Sequence, residues 1–259
     1  MKLLGFVIFF NFDVSELMES ISTYIEILDK LVIWKNSDSE ALNTLNDEFK
    51  EKIVILGNGE NCFIAEALNC AISYAQNNGF THLLTMDQDS KFELFHAEKY
   101  RKIIESTSNN DVAIFCPLII STKGLKEQRG EGIEKVYKNI TSGSIYPLKV
   151  FSRVGKFRED LKIDYVDYEY SFRASKFGVD IYRVNEVVLL QEYGNIVKHR
   201  IGYTLGYSPL RLFFQTRNRI IVHNEYKDFG LSSLYPSLQL YAKLILKIVL
   251  YENNSSLKN

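Results

Sequence analysis

The chain has 259 residues, 46% of them hydrophobic and 24% charged, and its 31 basic and 32 acidic side chains leave a net charge of −1. That is enough apolar material for one large α/β domain, alone or with a small appendage. Neither a basic excess nor a basic stripe is present, which argues against a nucleic-acid binder. No apolar run reaches the roughly 20 residues that span a bilayer. Cys62, Cys70 and Cys116 lack metal-ligand spacing and leave an odd one over, so they read as small buried apolar side chains in a reducing cytoplasm. No internal repeat or low-complexity linker divides the chain.

Lys2 followed by the apolar run Leu3 to Phe10 mimics a signal peptide, but Asn11 and Asp13 end it early and no small-residue cleavage site follows. Leu4 to Phe10 is therefore expected to be a strand buried on both faces. Ser15 to Asp29 has the spacing of a helix, with Leu17, Ile21, Ile25 and Leu28 on one side. Leu31 to Trp34 and Ile53 to Leu56 are further strands, the latter followed by an Asn58-Gly59 turn. A helix runs from about Cys62 and stops at Asn78-Gly79 through a left-handed cap. His82 to Met86 is a fourth strand, and Asp87-Gln88-Asp89-Ser90 follows it directly. Strands alternating with helices in this way predict a parallel, doubly wound sheet, in which ligands sit beyond the carboxyl ends of the strands.

Farther along, Val112 to Pro117 reads as a strand and the polar stretch Lys123 to Asn139 as a mobile loop. Val166 to Phe177 reads as a helix closed by Gly178, and Ile181 to Leu190 as a strand. Leu238 to Tyr251 is a Leu/Ile/Tyr-rich helix carrying Lys243 and Lys247. Such a helix packs against its own domain or lies on a membrane surface.

Two carboxylates at i,i+2 just past a buried strand point to one side. Asp87 and Asp89 can thus offer hard oxygens to Mg²⁺ or Mn²⁺, ions that one or two carboxylates commonly hold together with substrate phosphates. The plain alternative is a polar turn of solvated aspartates. Asp164, Asp167 and Glu169 precede or open a helix, where its dipole favours acids. One of them could equally serve as the base that removes an acceptor hydroxyl's proton. Glycoside hydrolysis would need two carboxyl groups flanking the bond and would have no use for an ion–diphosphate motif. No Ser/His/Asp or Cys/His set is visible. His82 reads as a strand residue, and His96, His199 and His223 as surface residues.

"HLLTMDQDS" resembles the D-x-D segment of family-2 glycosyltransferases, in particular their bacterial rhamnosyltransferase-like branch. "NCFIAEALNCAISYA", the block from Thr141 to Val184 and "LFFQTRNRIIV" are similar to further segments of that family, in the same order. The resemblance implies a GT-A fold with a Rossmann-like, mostly parallel sheet. It divides the chain into a glycosyltransferase domain over 1–225 and a helical segment over 226–259. Within that domain, residues 1–117 would bind the nucleotide sugar and residues 118–225 the acceptor. Asp87 and Asp89 match the ion- and diphosphate-binding aspartates, Asp167 the catalytic base and Glu169 a supporting carboxylate. Ser142, Gly143 and Ser144 match a small-residue turn near the transferred sugar. Asn36, Asn61 and Asn69 fall on the nucleotide side, and Arg217 could offset diphosphate charge or cap a surface helix.

Two positions depart from the family pattern. Lys35-Asn36-Ser37 stands where relatives have Asp-Asn-Ser, which leaves Asp38 as a neighbour able to read the base. Gln191 stands where a histidine metal ligand is common, with Glu192 beside it. The implied activity is an inverting, Mg²⁺- or Mn²⁺-dependent transfer of a sugar, rhamnose among the candidates. The donor would be a dTDP- or UDP-sugar and the acceptor a surface polysaccharide or lipid-linked oligosaccharide, reached in the cytoplasm or on the inner face of the membrane. A nucleotidyltransferase would need a Gly-rich basic loop after the first strand, and Phe10-Asn11-Phe12-Asp13 is not one. The non-enzymatic alternative is a degenerate transferase scaffold that binds glycans or nucleotides.

Overall fold

A computed structural model describes residues 1–44, 49, 51–108, 110–121, 130–191, 197–198, 203–204 and 207–227. The chain divides into two compact units, Met1–Tyr193 and Gly194–Asn259, a division earlier than the one near 225 suggested by the sequence.

The first unit is built on a sheet with nine described strands in the order β3-β2-β1-β4-β8-β6-β9-β5, with β7 pairing to β9. Its opening half runs β1 (Leu3–Phe9), α1 (Val14–Ser22), β2 (Lys30–Lys35), β3 (Ile53–Leu56), α2 (Phe63–Asn77) and β4 (His82–Met86). All pairings within β3-β2-β1-β4 are parallel. The cause is visible in the sequence: β1 is an apolar run and β4 is buried throughout, with His82 and Thr85 hydrogen-bonded, and parallel strands need burial on both faces because helices cover both sides.

Asp13 caps α1 by accepting from the amides of Ser15 and Glu16. The helix is shorter than its apolar spacing predicts, because Ser22 and Thr23 turn their hydroxyls onto the carbonyls of Glu19 and Ser20. A 3₁₀ turn over Ile25–Ile27 then completes the same buried face. Gly79, at φ 67°, closes α2 in the left-handed conformation expected of it.

The closing half of the unit is mixed. It contains β5 (Lys91–Phe92), α3 (His96–Ser106), β6 (Ile114–Ser121), β7 (Ile133–Val136), β8 (Ser144–Pro147), α4 (Leu148–Val154), α5 (Val166–Lys176) and β9 (Ile181–Gln191). Here β8 joins β4 and β6 antiparallel, while β6 and β9 run parallel with a register shift after Pro117. The stretch read as a loop holds β7, whose residues Ile133 to Val136 pair antiparallel with Val184 to Ile181; residues 122–129 lie outside the described ones. Tyr146, Phe151, Phe157 and Tyr170 form an aromatic cluster beneath α4 and α5, with Phe157 and Tyr170 centroids 4.4 Å apart.

The second unit contains a two-strand hairpin, β10 (Val197–Lys198) with β11 (Tyr203–Thr204), and α6 (Pro209–Tyr226), which Ser208 caps. The helix expected over 238–251 lies outside the described residues. All three cysteines are free, but only Cys116 is buried; Cys62 and Cys70 are half-exposed. His96 is not a plain surface residue: its Nδ1 accepts from the amide of Val188 at 2.9 Å.

Candidate active site

The strand order places β2 and β3 on one side of β1 and β4 on the other. The order in which strands are added therefore reverses between β1 and β4, and the crevice beyond their carboxyl ends is the ligand position of an open α/β sheet. Asp87, Gln88 and Asp89 occupy that place as a turn, closed by the Ser90 amide on the Asp87 carbonyl at 3.2 Å. All three are half-buried.

Asp87 is held from two directions. Its amide donates to Ser142 Oγ at 3.1 Å, and Ser142 donates in turn to Ser90 Oγ at 2.8 Å. Its Oδ2 accepts from Gln191 Nε2 at 2.7 Å, which brings together two residues 104 positions apart. The other amide atom of Gln191, Oε1, is buried without a hydrogen-bond partner. Gly143 serves close packing: at φ 76° its amide donates to the Thr85 carbonyl at 2.8 Å, and a Cβ there would lie 2.6 Å from the Pro117 side chain. It thereby sets Ser142 against Asp87.

Asn36 and Asn61 work on their own backbone. Asn36 donates to Asn61 Oδ1 at 3.1 Å and accepts from the Cys62 amide at 2.9 Å, while Asn61 Oδ1 accepts from the Phe63 amide at 2.9 Å. Asn36 is buried and Asn61 exposed. Asn69 is buried between α2 and the chain after α4, exchanging hydrogen bonds with the Phe157 backbone and donating to Glu159. Lys35 pairs with Asp38 at 2.7 Å, and its ammonium holds the exposed Asp38 carboxyl below the usual range.

Asp167 lies in the first turn of α5, half-buried, with Oδ1 accepting the Tyr168 amide at 2.8 Å. Desolvation, with a smaller push from the charge of Asp164, raises its carboxyl from 3.8 to about 6. The approach to α5 is strained: Lys162, Asp164 and Tyr165 all have left-handed φ, between 59° and 66°. Non-glycine residues there cost on the order of 1 kcal/mol or more each, so surrounding contacts must hold them. One such contact is the Lys162 carbonyl, which accepts from the amides of Ile64 and Ala65.

Glu169 is not beside Asp167 as expected. Residues at i,i+2 on a helix do not face each other. Its carboxylate is buried, and Arg173 grips both oxygens at 2.9 Å while also donating to the carbonyls of Val154 and Lys156. Glu169 thus holds α5 against α4. Arg217 belongs to the second unit, where it stacks over Phe214 at 4.8 Å and donates to Asn218. Glu192 and His199 lie outside the described residues.

Sequence reading named Ser142, Gly143 and Ser144 but missed Asn139 and Ser171, and with them the bridge between the two acidic sets. At one end Ser142 meets Asp87. At the other, Asn139 donates to Ser144 Oγ at 2.6 Å and accepts from Ser171 Oγ at 2.7 Å. Ser171 Oγ lies 2.8 Å from the Asp167 carbonyl. Asn139, Ser142, Ser144 and Ser171 are all buried, and a run of small polar residues inside an otherwise apolar half was the available signal.

No protein-family model matches the chain. A dTDP-rhamnosyl transferase, RfbF of Shigella flexneri, is 26% identical over 202 residues, covering 71% of this chain and 68% of its own. Among solved structures, GalNAc-T7 with UDP, GalNAc and Mn²⁺ superposes with a TM-score of 0.65 at 15% identity, over 90% of this chain. S. aureus TarS 1-349 in complex with UDP-GlcNAc superposes with a TM-score of 0.58 at 14% identity, over 75% of this chain. The chain spans 50% of the GalNAc-T7 chain and 60% of the TarS chain. The chain has a GT-A glycosyltransferase fold, and in sequence it is similar to the rhamnosyltransferase-like branch of family 2.

Proposed function

We propose that this glycosyltransferase uses a nucleotide-sugar donor, dTDP-rhamnose foremost, and transfers the sugar with inversion to a hydroxyl of a surface polysaccharide or lipid-linked oligosaccharide. The observation that carries the reading is Asp167: a half-buried carboxyl raised to about 6, linked through the segment from Asn139 to Ser144 to the Asp87 turn. A base with a pKa just below neutral is mostly ionised at pH 7 yet basic enough to share a proton in the transition state. With Glu169 tied to Arg173, Asp167 is the better candidate of the two for that work, which fits a single displacement.

In this scheme Asp167 takes the proton as the acceptor oxygen attacks the anomeric carbon, and the bond to the diphosphate oxygen breaks on the opposite face. The residues fit a hard divalent cation. Asp87, Asp89 and the unpartnered Gln191 Oε1 form an all-oxygen donor set. Among the described residues no group of three His, Cys, Asp or Glu gathers for a metal, so donor phosphate oxygens would complete the shell, as is usual for Mg²⁺. Bound there, Mg²⁺ or Mn²⁺ would neutralise the charge of the leaving diphosphate. No described helix is long and apolar enough to cross a membrane; contact with a lipid-linked acceptor would be peripheral, on the cytoplasmic face.

The test is Asp167→Asn. Donor binding measured by calorimetry should persist while release of nucleoside diphosphate with acceptor is lost; turnover at the parent rate would remove Asp167 from the base role.

A further inference from the structure

The parallel ladder between β1 and β4 stops at the pair Val7 and Met86, three residues short of Phe10. There a side chain takes over from the backbone. Gln88 Oε1 accepts from the Phe10 amide at 2.8 Å, and Gln88 Nε2 donates to the Phe10 carbonyl at 3.2 Å. One carboxamide thus satisfies both polar groups of a residue that the ladder no longer reaches. On its other side the same segment is fastened to the β2 loop, where the Asn36 amide donates to the Phe9 carbonyl at 2.9 Å and the Asn11 amide to Ser37 Oγ at 2.8 Å.

We infer that Gln88 is a positioning residue: it fixes the width of the crevice between the β1 loop and the aspartate turn, and so couples nucleoside binding to cation binding. The inference rests on the donor-site reading given above. A nucleoside diphosphate in this crevice touches the β1 and β2 loops at one end and Asp87 and Asp89 at the other. A rigid link between the two lets a cation at the aspartates pre-set the loops for the nucleoside, which appears as mutual tightening. Within the turn, Asp87 is tied forward to Gln191, whereas Gln88 reaches back across the switch point to the end of β1.

The experiment is calorimetric titration of the full chain with dTDP, with and without Mg²⁺, for the parent, Gln88→Met and Gln88→Asn. Methionine keeps the length and removes both hydrogen bonds. Asparagine keeps the amide but is one methylene short, and it guards against a fold defect in the methionine variant. The parent is expected to bind dTDP more tightly when Mg²⁺ is present. Both variants should lose roughly tenfold of that enhancement, a typical size for such coupling, a loss larger than any change in their Mg²⁺-free dTDP affinity. Equal enhancement in all three proteins would overturn the role of Gln88 and leave the donor site standing. Absence of dTDP binding by the parent under both conditions would overturn the donor-site reading and the inference together.

Discussion

On the β3-β2-β1-β4 side of the sheet, the polar residues around the crevice are largely neutral amides and hydroxyls. Asn36, Asn61, Ser37 and Gln88 each spend their hydrogen bonds on backbone or on one another. On the β8-β6-β9 side, helix α5 carries charge into the interior, with Asp167 half-buried and Glu169 fully buried against Arg173. Neutral groups fix loop geometry at about 1 kcal/mol per hydrogen bond, whereas a buried charge that loses its partner costs several times that. The first region is thus tolerant in stability and sensitive in affinity. The second should behave the opposite way.

The largest effect is expected at Asp167. Asp167→Asn should lower transfer by about 10²- to 10⁴-fold, the usual contribution of a positioned base, while making the fold more stable. The sign follows from the raised carboxyl. Its contribution is complete below the unfolded value near 4 and is lost as pH climbs through about 6. At pH 7 the neutral asparagine should therefore gain at most about 3 kcal/mol in urea unfolding, and that gain should vanish near pH 4. In the parent enzyme, transfer should rise with pH and level off above about 6; a profile flat from pH 5 to 8 would count against the base assignment.

Next in size is Arg173→Ala, which strands Glu169 and releases the carbonyls of Val154 and Lys156; urea unfolding should show a loss of about 3–5 kcal/mol. Gly143→Ala forces a methyl toward Pro117 and Leu189 at a left-handed φ. It should lose about 2 kcal/mol and also weaken donor binding, because Ser142 moves with it. The smallest effect is expected on the amide side: Asn36→Ala should cost about 1–2 kcal/mol, yet raise the donor KM more than it lowers kcat. If steady-state kinetics showed the reverse split, the proposed contrast between the two regions would fail.

The opening half was legible because a buried parallel strand leaves a clear trace, an apolar run such as Leu3 to Phe9. The closing half was legible only in part, with β6, α5 and β9 readable at Val112 to Pro117, Val166 to Phe177 and Ile181 to Leu190. Its strands β5 and β7 are too short or too polar to show a period, and α3, α4 and α6 went unread because their partners lie far away in sequence. The aspartate turn and Asp167 could be found by spacing and resemblance. Spacing could not show that Glu169 faces Arg173, that Gly143 serves packing, or that Asn36 and Asn61 consume their own hydrogen-bonding capacity, because each of those facts depends on a contact across the fold.

The start of α2 carries one more consequence. The first four amides of a helix are ordinarily free and make a ready seat for phosphate. Here Cys62 and Phe63 give theirs to Asn36 and Asn61, and Ile64 and Ala65 give theirs to the Lys162 carbonyl. Glu66 adds a negative charge in the same turn. The usual backbone countercharge of a nucleotide fold is thus already spent before any ligand arrives. On the proposed reading, the charge of a donor diphosphate would have to be met from elsewhere, which gives the cation proposed at Asp87 and Asp89 a reason internal to the fold.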